Sequence, residues 1–372
     1  MGSLPTFAAL ANQINVKPEG ERRHCGHWKS MSEHILEPKS FLTQRHAVAE
    51  KANHHYVPQL YLRNFADGYG RKARVFTFDS STNEAFKTSV RNVASKRHFN
   101  RVEIDGVDPN YLEDGLAEME GELAPFLAEV VAEKRFRTFE HFDWIMNLAA
   151  QLSVRNPRMR GQLEKFHKDI AGRIASLSVS SKEIWESQQR QMQEAGKEVN
   201  PKVTYEQAQK FHDDKNYEIA IDQTHLIGLE MQMIETVLTE LGKRNWCFVS
   251  PLDGHIFITC DDPVVLSWKD QKDRGFYGPG HGLMDTLITF PLSSDLLLLG
   301  TFENLPPAMN YDALQVADAN THVARYSTKQ IYARSSDFNI HTPTKFFASG
   351  NELPTLMRRV KKDSKTEFAS GK

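Results

Sequence analysis

The apolar residues of this chain change their period once, and that change bounds the fold. Leu112, Leu116, Met119, Leu123, Leu127 and Val130 recur at helical spacing, as do Phe142, Ile145, Met146, Ala149 and Leu152, then Leu226, Leu229, Met233, Val237 and Leu241. From Trp246 onward the apolar residues come instead in short runs of strand length, such as Trp246–Val249, Leu287–Phe290 and Leu296–Leu299. Helices and strands are therefore grouped rather than alternating. That order predicts an α+β fold, a mainly helical body packed on a small, mostly antiparallel sheet in the C-terminal half.

Punctuation residues set the expected boundaries. Pro58 suits a helix start, and Arg74–Phe78 alternates like a strand closed by the turn-forming Asp79-Ser80-Ser81. Asp108-Pro109 is expected to open a long helix with Asp108 as its cap, kinked at Pro125. A second helix is expected from about Phe139 to Arg155, ended by Asn156-Pro157 and resumed over 160–175. Residues 176–215 are polar and read as an exposed helical excursion or lid, followed by a helix over 217–241 that stops at Gly242. Pro251-Leu252-Asp253-Gly254 predicts a hairpin joining Trp246–Val249 to His255–Thr259, and a last helix is expected over 309–323 before a strand at Gln330–Ala333. The domain plan is a loosely ordered arm over 1–50, one α+β domain over 51–348 and a charged tail over 349–372.

Charge and cysteine content narrow the function classes. The 46 basic and 48 acidic side chains of the 372 nearly cancel, which excludes a uniformly basic nucleic-acid coat but leaves room for a local basic groove. Two basic stretches, 87–101 and 155–168, are the candidates for such a groove. The mean hydropathy of −0.52, with no long uncharged apolar run, argues against a membrane span. Three cysteines without a CxxC pair fit a reducing compartment, so a cytoplasmic location is expected. Gly2 with Thr6 matches a loose myristoylation pattern, and His24-Cys25-Gly26-His27 lacks the distant fourth ligand of a metal clip. Rossmann, Walker A, GxSxG and HExxH motifs are absent from the sequence.

Three places carry candidate chemistry. His55 precedes a helix start, where an imidazole faces a cleft as base, acid or ligand; the structural alternative is a bond to the helix end. Glu113 and Glu120 are seven residues apart, within about 20° on one helical face, and Gln151 and Arg155 share a face of the next helix. Carboxylates on adjacent helices can hold a hard cation, and an arginine beside them can clamp a phosphate; the alternative is that Arg155 only neutralises solvated acids. Asp261 ends the apolar run Phe257–Thr259, where a strand aims its side chain rigidly, or where an aspartate caps its own turn.

In this order the pieces resemble a bacterial family of unknown function, domain-of-unknown-function family 4238. The opening is His55-Tyr56-Val57-Pro58-Gln59 with Tyr61-Leu62-Arg63-Asn64-Phe65. It is followed by Val93–Lys96 with Phe99, Leu112-Glu113 and Glu120, Gln151 with Arg155, Pro157 and Arg160, Phe257–Thr259 with Asp261, and Phe290–Ser293. The resemblance covers about residues 53–335. The family has Ser-Asp-Asn-Pro where this chain has Cys260-Asp261-Asp262-Pro263, which places a second acid beside Asp261. The resemblance implies that His55, Glu113, Glu120, Gln151, Arg155 and Asp261 converge on one site. The expected function is then a metal-dependent hydrolase acting on a phosphodiester or phosphate-bearing substrate, nuclease-like. Glu113, Glu120 and Asp261 would hold a divalent metal, Mg²⁺ or Mn²⁺ rather than Zn²⁺; His55 would act as ligand or base, Gln151 would orient, and Arg155 would steady negative charge. The alternative is a non-catalytic binding or sensing protein whose polar set is a structural network.

Overall fold

The computed structural model describes residues 52–354, except 198, 201, 216, 271–277 and 343–344. The arm over 1–50, with the Gly2 pattern and the His24–His27 cluster, lies outside the described residues, as does the tail from 355 onward. The chain enters through a short strand β1 (Asn53–His55) and a one-turn helix α1 (Gln59–Leu62), then a hairpin of β2 (Arg74–Asp79) and β3 (Glu84–Ser89) and a short β4 (Ser95–Arg97). Six helices follow: α2 (Tyr111–Glu133), α3 (Phe139–Val154), α4 (Pro157–Ser178), α5 (Lys182–Glu194), α6 (Tyr205–Asp213) and α7 (Gln223–Gly242). The remainder runs β5 (Asn245–Pro251), β6 (Thr259–Cys260), β7 (Val265–Trp268), β8 (Thr286–Ser293), β9 (Leu296–Thr301), β10 (Ala308–Tyr311), α8 (Ala313–Tyr326), β11 (Gln330–Ala333), β12 (Asn339–Thr342) and β13 (Lys345–Ser349).

The fold is α+β. The strands form a mixed sheet in the order β10-β5-β9-β8-β7, parallel only at β10–β5, and an antiparallel sheet β3-β2-β11-β6, with two-stranded pairs β1–β4 and β12–β13. Helix α3 is buried on nearly every side from His141 to Val154, the pattern of a central core helix rather than a surface one. Leu112, Leu116, Met119 and Leu123 of α2, and Ile227, Met231 and Ile234 of α7, share its core cluster. Helices α5 and α6 bury none of their side chains, so the polar excursion is helical and exposed.

The opening motif is a docking device. Tyr61, fully buried, donates through its hydroxyl to the Pro291 carbonyl (2.6 Å), lies 2.8 Å from the Thr259 hydroxyl and stacks on Phe290. Asn64 donates to the Leu292 carbonyl at 3.0 Å. These bonds tie the N-terminal segment to β8 of one sheet and β6 of the other.

Three expectations need correction. Helix α2 begins at Tyr111 with Asn110 at its N-cap, because the Asp108 carboxylate is taken by the Asn110 backbone N–H in a local turn (2.7 Å). The Leu252–His255 turn forms, but the segment after it does not pair back on β5. The Phe257 N–H bonds the Ser294 carbonyl and the Ile258 N–H bonds the Asn320 side chain, and the chain crosses to the other sheet at β6. Met309 and Asn310 belong to strand β10; the last helix starts at Ala313 behind an Asp312–Gln315 capping box.

The helical body is fastened by one buried ion pair. Arg160 grips Glu230 of α7 through two parallel bonds, Nε to Oε1 at 2.7 Å and Nη2 to Oε2 at 2.6 Å. Its Nη1 donates to the Phe99 carbonyl, and its guanidinium lies 3.7 Å from the Phe99 ring centroid. Glu230 is 0% exposed and Arg160 7%. Glu230→Ala is therefore expected to destabilise the protein by about 3–5 kcal/mol in denaturant unfolding, because it strands a buried cation. The paired replacement Arg160→Met with Glu230→Leu should cost much less.

Candidate functional site

Strand alternation sorts the adjacent histidines. In β1, which pairs with β4 in the register His54↔Lys96 and His55↔Ser95, His54 points inward and is 0% exposed. Asn53 and His55 face the other way and line a small cavity of about 290 Å³. Gln59 of α1 and one stripe of α2, Glu113, Leu116, Ala117 and Glu120, complete the wall. The seven-residue spacing thus brings both glutamates into the same cavity as His55.

The three ionisable groups have distinct electrostatics. The His55 Nε2 lies 3.2 Å from the Arg91 carbonyl, which can only accept, so Nε2 carries the proton and the neutral ring keeps its lone pair on Nδ1. Burial lowers the His55 pKa below its ordinary 6.5, against the Arg91 bond and the Glu113 charge. Burial, with help from Glu113, pushes Glu120 up to about 7, although Arg155 and Arg63 pull the other way. No hydrogen bond reaches the Glu120 carboxyl among the described residues. Glu113 accepts a 2.7 Å bond from the Asn100 side chain and sits in the first turn of α2, where the helix dipole favours a negative charge.

Gln151 and Arg155 form the layer behind this cavity rather than its wall. Both are buried; Arg155 donates to Gln151 Oε1 (3.3 Å) and to Asn100 Oδ1 (3.2 Å). Burial pushes the Arg155 pKa down to about 10, so it remains a cation at neutral pH. Its Nε has no hydrogen-bond partner among the described residues. Asn100 joins the layers: its N–H donates to His54 Nδ1 (2.8 Å), its amide to Glu113, and its carbonyl oxygen receives Arg155. Sequence reading missed Asn100 and His54, for an asparagine next to a turn carries no signal that it will be buried.

Asp261 does not line this cavity. Its two oxygens accept the backbone N–H groups of Thr328 (2.9 Å), Lys329 (2.7 Å) and Gln330 (3.1 Å), so it ties the end of β6 to the start of β11. The neighbouring Asp262 is answered by Arg158 and by Asn156 (3.2 Å), and burial pushes it up to about 6. Among the described residues, no group of three or more His, Cys, Asp or Glu side chains is placed to hold a metal ion. Of the basic stretch 155–168, the three arginines turn inward: Arg155 and Arg160 are buried and Arg158 pairs with Asp262. Only Lys165 and Lys168 remain on its outer side, and Lys168 pairs with Glu164. No helix among the described residues is long and apolar enough to cross a membrane.

The chain belongs to the family described as protein of unknown function (DUF4238), whose model matches residues 53–337. No curated protein and no solved structure matches it.

The two acids should respond oppositely to mutation. The folded-state pKa of Glu120 stands above its ordinary 4.5, so its own contribution to stability is fully present below pH 4.5 and is lost as pH rises through about 7. Glu120→Gln should therefore raise stability by about 2 kcal/mol at pH 8 and leave it nearly unchanged at pH 4.5, read from melting curves. Asp261→Ala should lower stability by about 2–4 kcal/mol at neutral pH, since it abandons three backbone donors.

Proposed function

We propose that this DUF4238 protein is a hydrolase working by general acid–base catalysis in the cavity between β1 and α2. One observation carries the reading: a histidine held toward its neutral form and a carboxylic acid with a pKa of about 7 share a single cavity. Near neutral pH such a cavity holds a base with a free lone pair and an acid with a proton to give. His55 accepts a proton from a water molecule as its oxygen attacks the electrophilic centre of the substrate, and Glu120 protonates the departing group. Glu113 favours the imidazolium that forms on His55, and Asn100 holds Glu113 in place. Arg155, positioned by Gln151 and Asn100, offsets the negative charge of the two glutamates.

A metal-assisted form on a phosphodiester or phosphate-bearing substrate is the second reading, and the mutual repulsion of Glu113 and Glu120 favours it. A divalent cation such as Mg²⁺ or Mn²⁺ would relieve that repulsion and let a phosphate approach two carboxylates. A nucleic-acid substrate would then be guided by the stretch 87–101. The reading as a non-catalytic binding or sensing protein draws on the buried Asn100–Arg155–Gln151 bonds, which also suit a structural network.

The test is a pH–rate profile on a panel of chromogenic esters, phosphodiesters, amides and glycosides. The base must be deprotonated, so the rate rises through the His55 pKa, below 6.5; the acid must be protonated, so the rate falls through about 7. A narrow bell is expected. His55→Ala should lower the rate by about 10²–10⁴, and Glu120→Gln should remove the alkaline limb. Activity that persists in excess EDTA supports the metal-free form, and loss reversed by Mn²⁺ or Mg²⁺ supports the second reading. Hydrolysis unchanged in His55→Ala contradicts both.

A further inference from the structure

The charges around the cavity between β1 and α2 select among the substrates a hydrolase can take. Glu113 and Glu120 stand two turns of α2 apart, a rise of about 10.5 Å, and Leu116 and Ala117 line the cavity between them. The rest of the wall is His55 with the side-chain amides of Asn53 and Gln59, which make no hydrogen bond among the described residues. No lysine or arginine belongs to that wall among the described residues. Two cations act from outside it. Arg155 lies behind, its terminal nitrogens committed to Gln151 and Asn100, and bears on Glu120 more than on Glu113. Arg63, exposed and one turn after Gln59, also bears on Glu120. Glu113 bears on His55. Acyl and phosphoryl transfer build negative charge on the substrate, and donors must be aimed at it. In this cavity that charge would form beside the Glu113 carboxylate. Glycoside hydrolysis builds positive charge on the sugar ring, which a carboxylate favours.

We propose that the substrate is an O-glycoside whose sugar ring lies over Leu116 and Ala117, between the two glutamates. The assignment rests on the acid–base reading of the same cavity. A volume of about 290 Å³ suits one ring rather than a length of polymer. Asn53 and Gln59 supply donors and acceptors for its hydroxyls. Water attacks the anomeric carbon and gives its proton to Nδ1 of His55. The bond from that carbon to the leaving oxygen breaks, its electron pair stays on the oxygen, and Glu120 protonates it. The products are the free sugar and an alcohol. Positive charge on the ring and the imidazole gathers on the Glu113 side, and the carboxylate left on Glu120 is met by Arg155 and Arg63. Return of the proton from His55 to Glu120 through water resets the cavity.

The test is the full chain on para-nitrophenyl glycosides (both anomers of glucose, galactose, mannose, xylose and N-acetylglucosamine), beside para-nitrophenyl acetate and bis(para-nitrophenyl) phosphate. A glycoside is expected to show the largest rate enhancement over its uncatalysed reaction. Glu120→Gln should slow the matching methyl glycoside by about 10²–10⁴, and the nitrophenyl glycoside far less, because nitrophenolate departs without a proton. By titration calorimetry, the iminosugar of matching configuration, protonated and so shaped like the cationic ring, should bind about 10²-fold more tightly than the neutral sugar, and Glu113→Gln should remove that preference. Ester or phosphodiester hydrolysis that needs His55, with no glycoside turned over, would overturn this inference and leave the hydrolase reading intact. Equal binding of iminosugar and sugar would also overturn it. No turnover of any substrate would overturn both.

Discussion

Two arginines hold the segment Phe99-Asn100 between the strands and the helices, and the arrangement of the cavity depends on that grip. Arg160 takes the Phe99 carbonyl and ring while its other nitrogens hold Glu230 of α7. Arg155 takes the Asn100 side chain. Gln223, at the start of α7, binds the carbonyls of His98 and Arg101 on either side. Asn100, so fixed, sets His54 and Glu113. Two like charges five residues apart in a dry interior repel. Glu230, Glu113 and Glu120 offset that repulsion, and so the helical core and the cavity share one electrostatic arrangement.

That dependence explains how the polar residues divide. Those facing the cavity, His55 and Glu120, have incomplete hydrogen bonding and pKa values moved by burial. Those behind it, Gln151 and Arg155, hold one another and Asn100. Asp261 belongs to a different task, closing the β6–β11 junction with three backbone bonds. A list of polar residues spread along a sequence thus contains the lining of a cavity, the layer that supports it and an unrelated structural cap, and only geometry separates them.

Much of the fold was legible because its signals are local. Periodicity located α2, α3 and α7, Asn156-Pro157 marked the α3–α4 boundary, and Leu287–Phe290 with Leu296–Leu299 gave the β8–β9 pair. What failed depended on distant partners. Ile256–Ile258 has strand composition, but its backbone bonds go to Ser294 and to Asn320. Met309 suits a helix by propensity, yet β5 offers it a parallel edge. Within the site, the spacing of Glu113 and Glu120 was readable; their closeness to His55 was implied only by the family resemblance, which grouped Asp261 with them as well. The inward turn of Arg155, Arg158 and Arg160 was not, because a run of arginines at a helix start looks the same whether acids wait beneath it or water does.

The proposed chemistry requires Glu120 to be an acid near neutral pH beside a neutral His55. Carbon-13 NMR of the Glu120 side-chain carboxyl across pH 4–9, with His55→Ala used for assignment of the coupled shift, measures this without any substrate. A midpoint at about 7 is expected. A midpoint near the ordinary 4.5 would mean that water fills the cavity and ionises the acid, and the proposed proton donor would not exist.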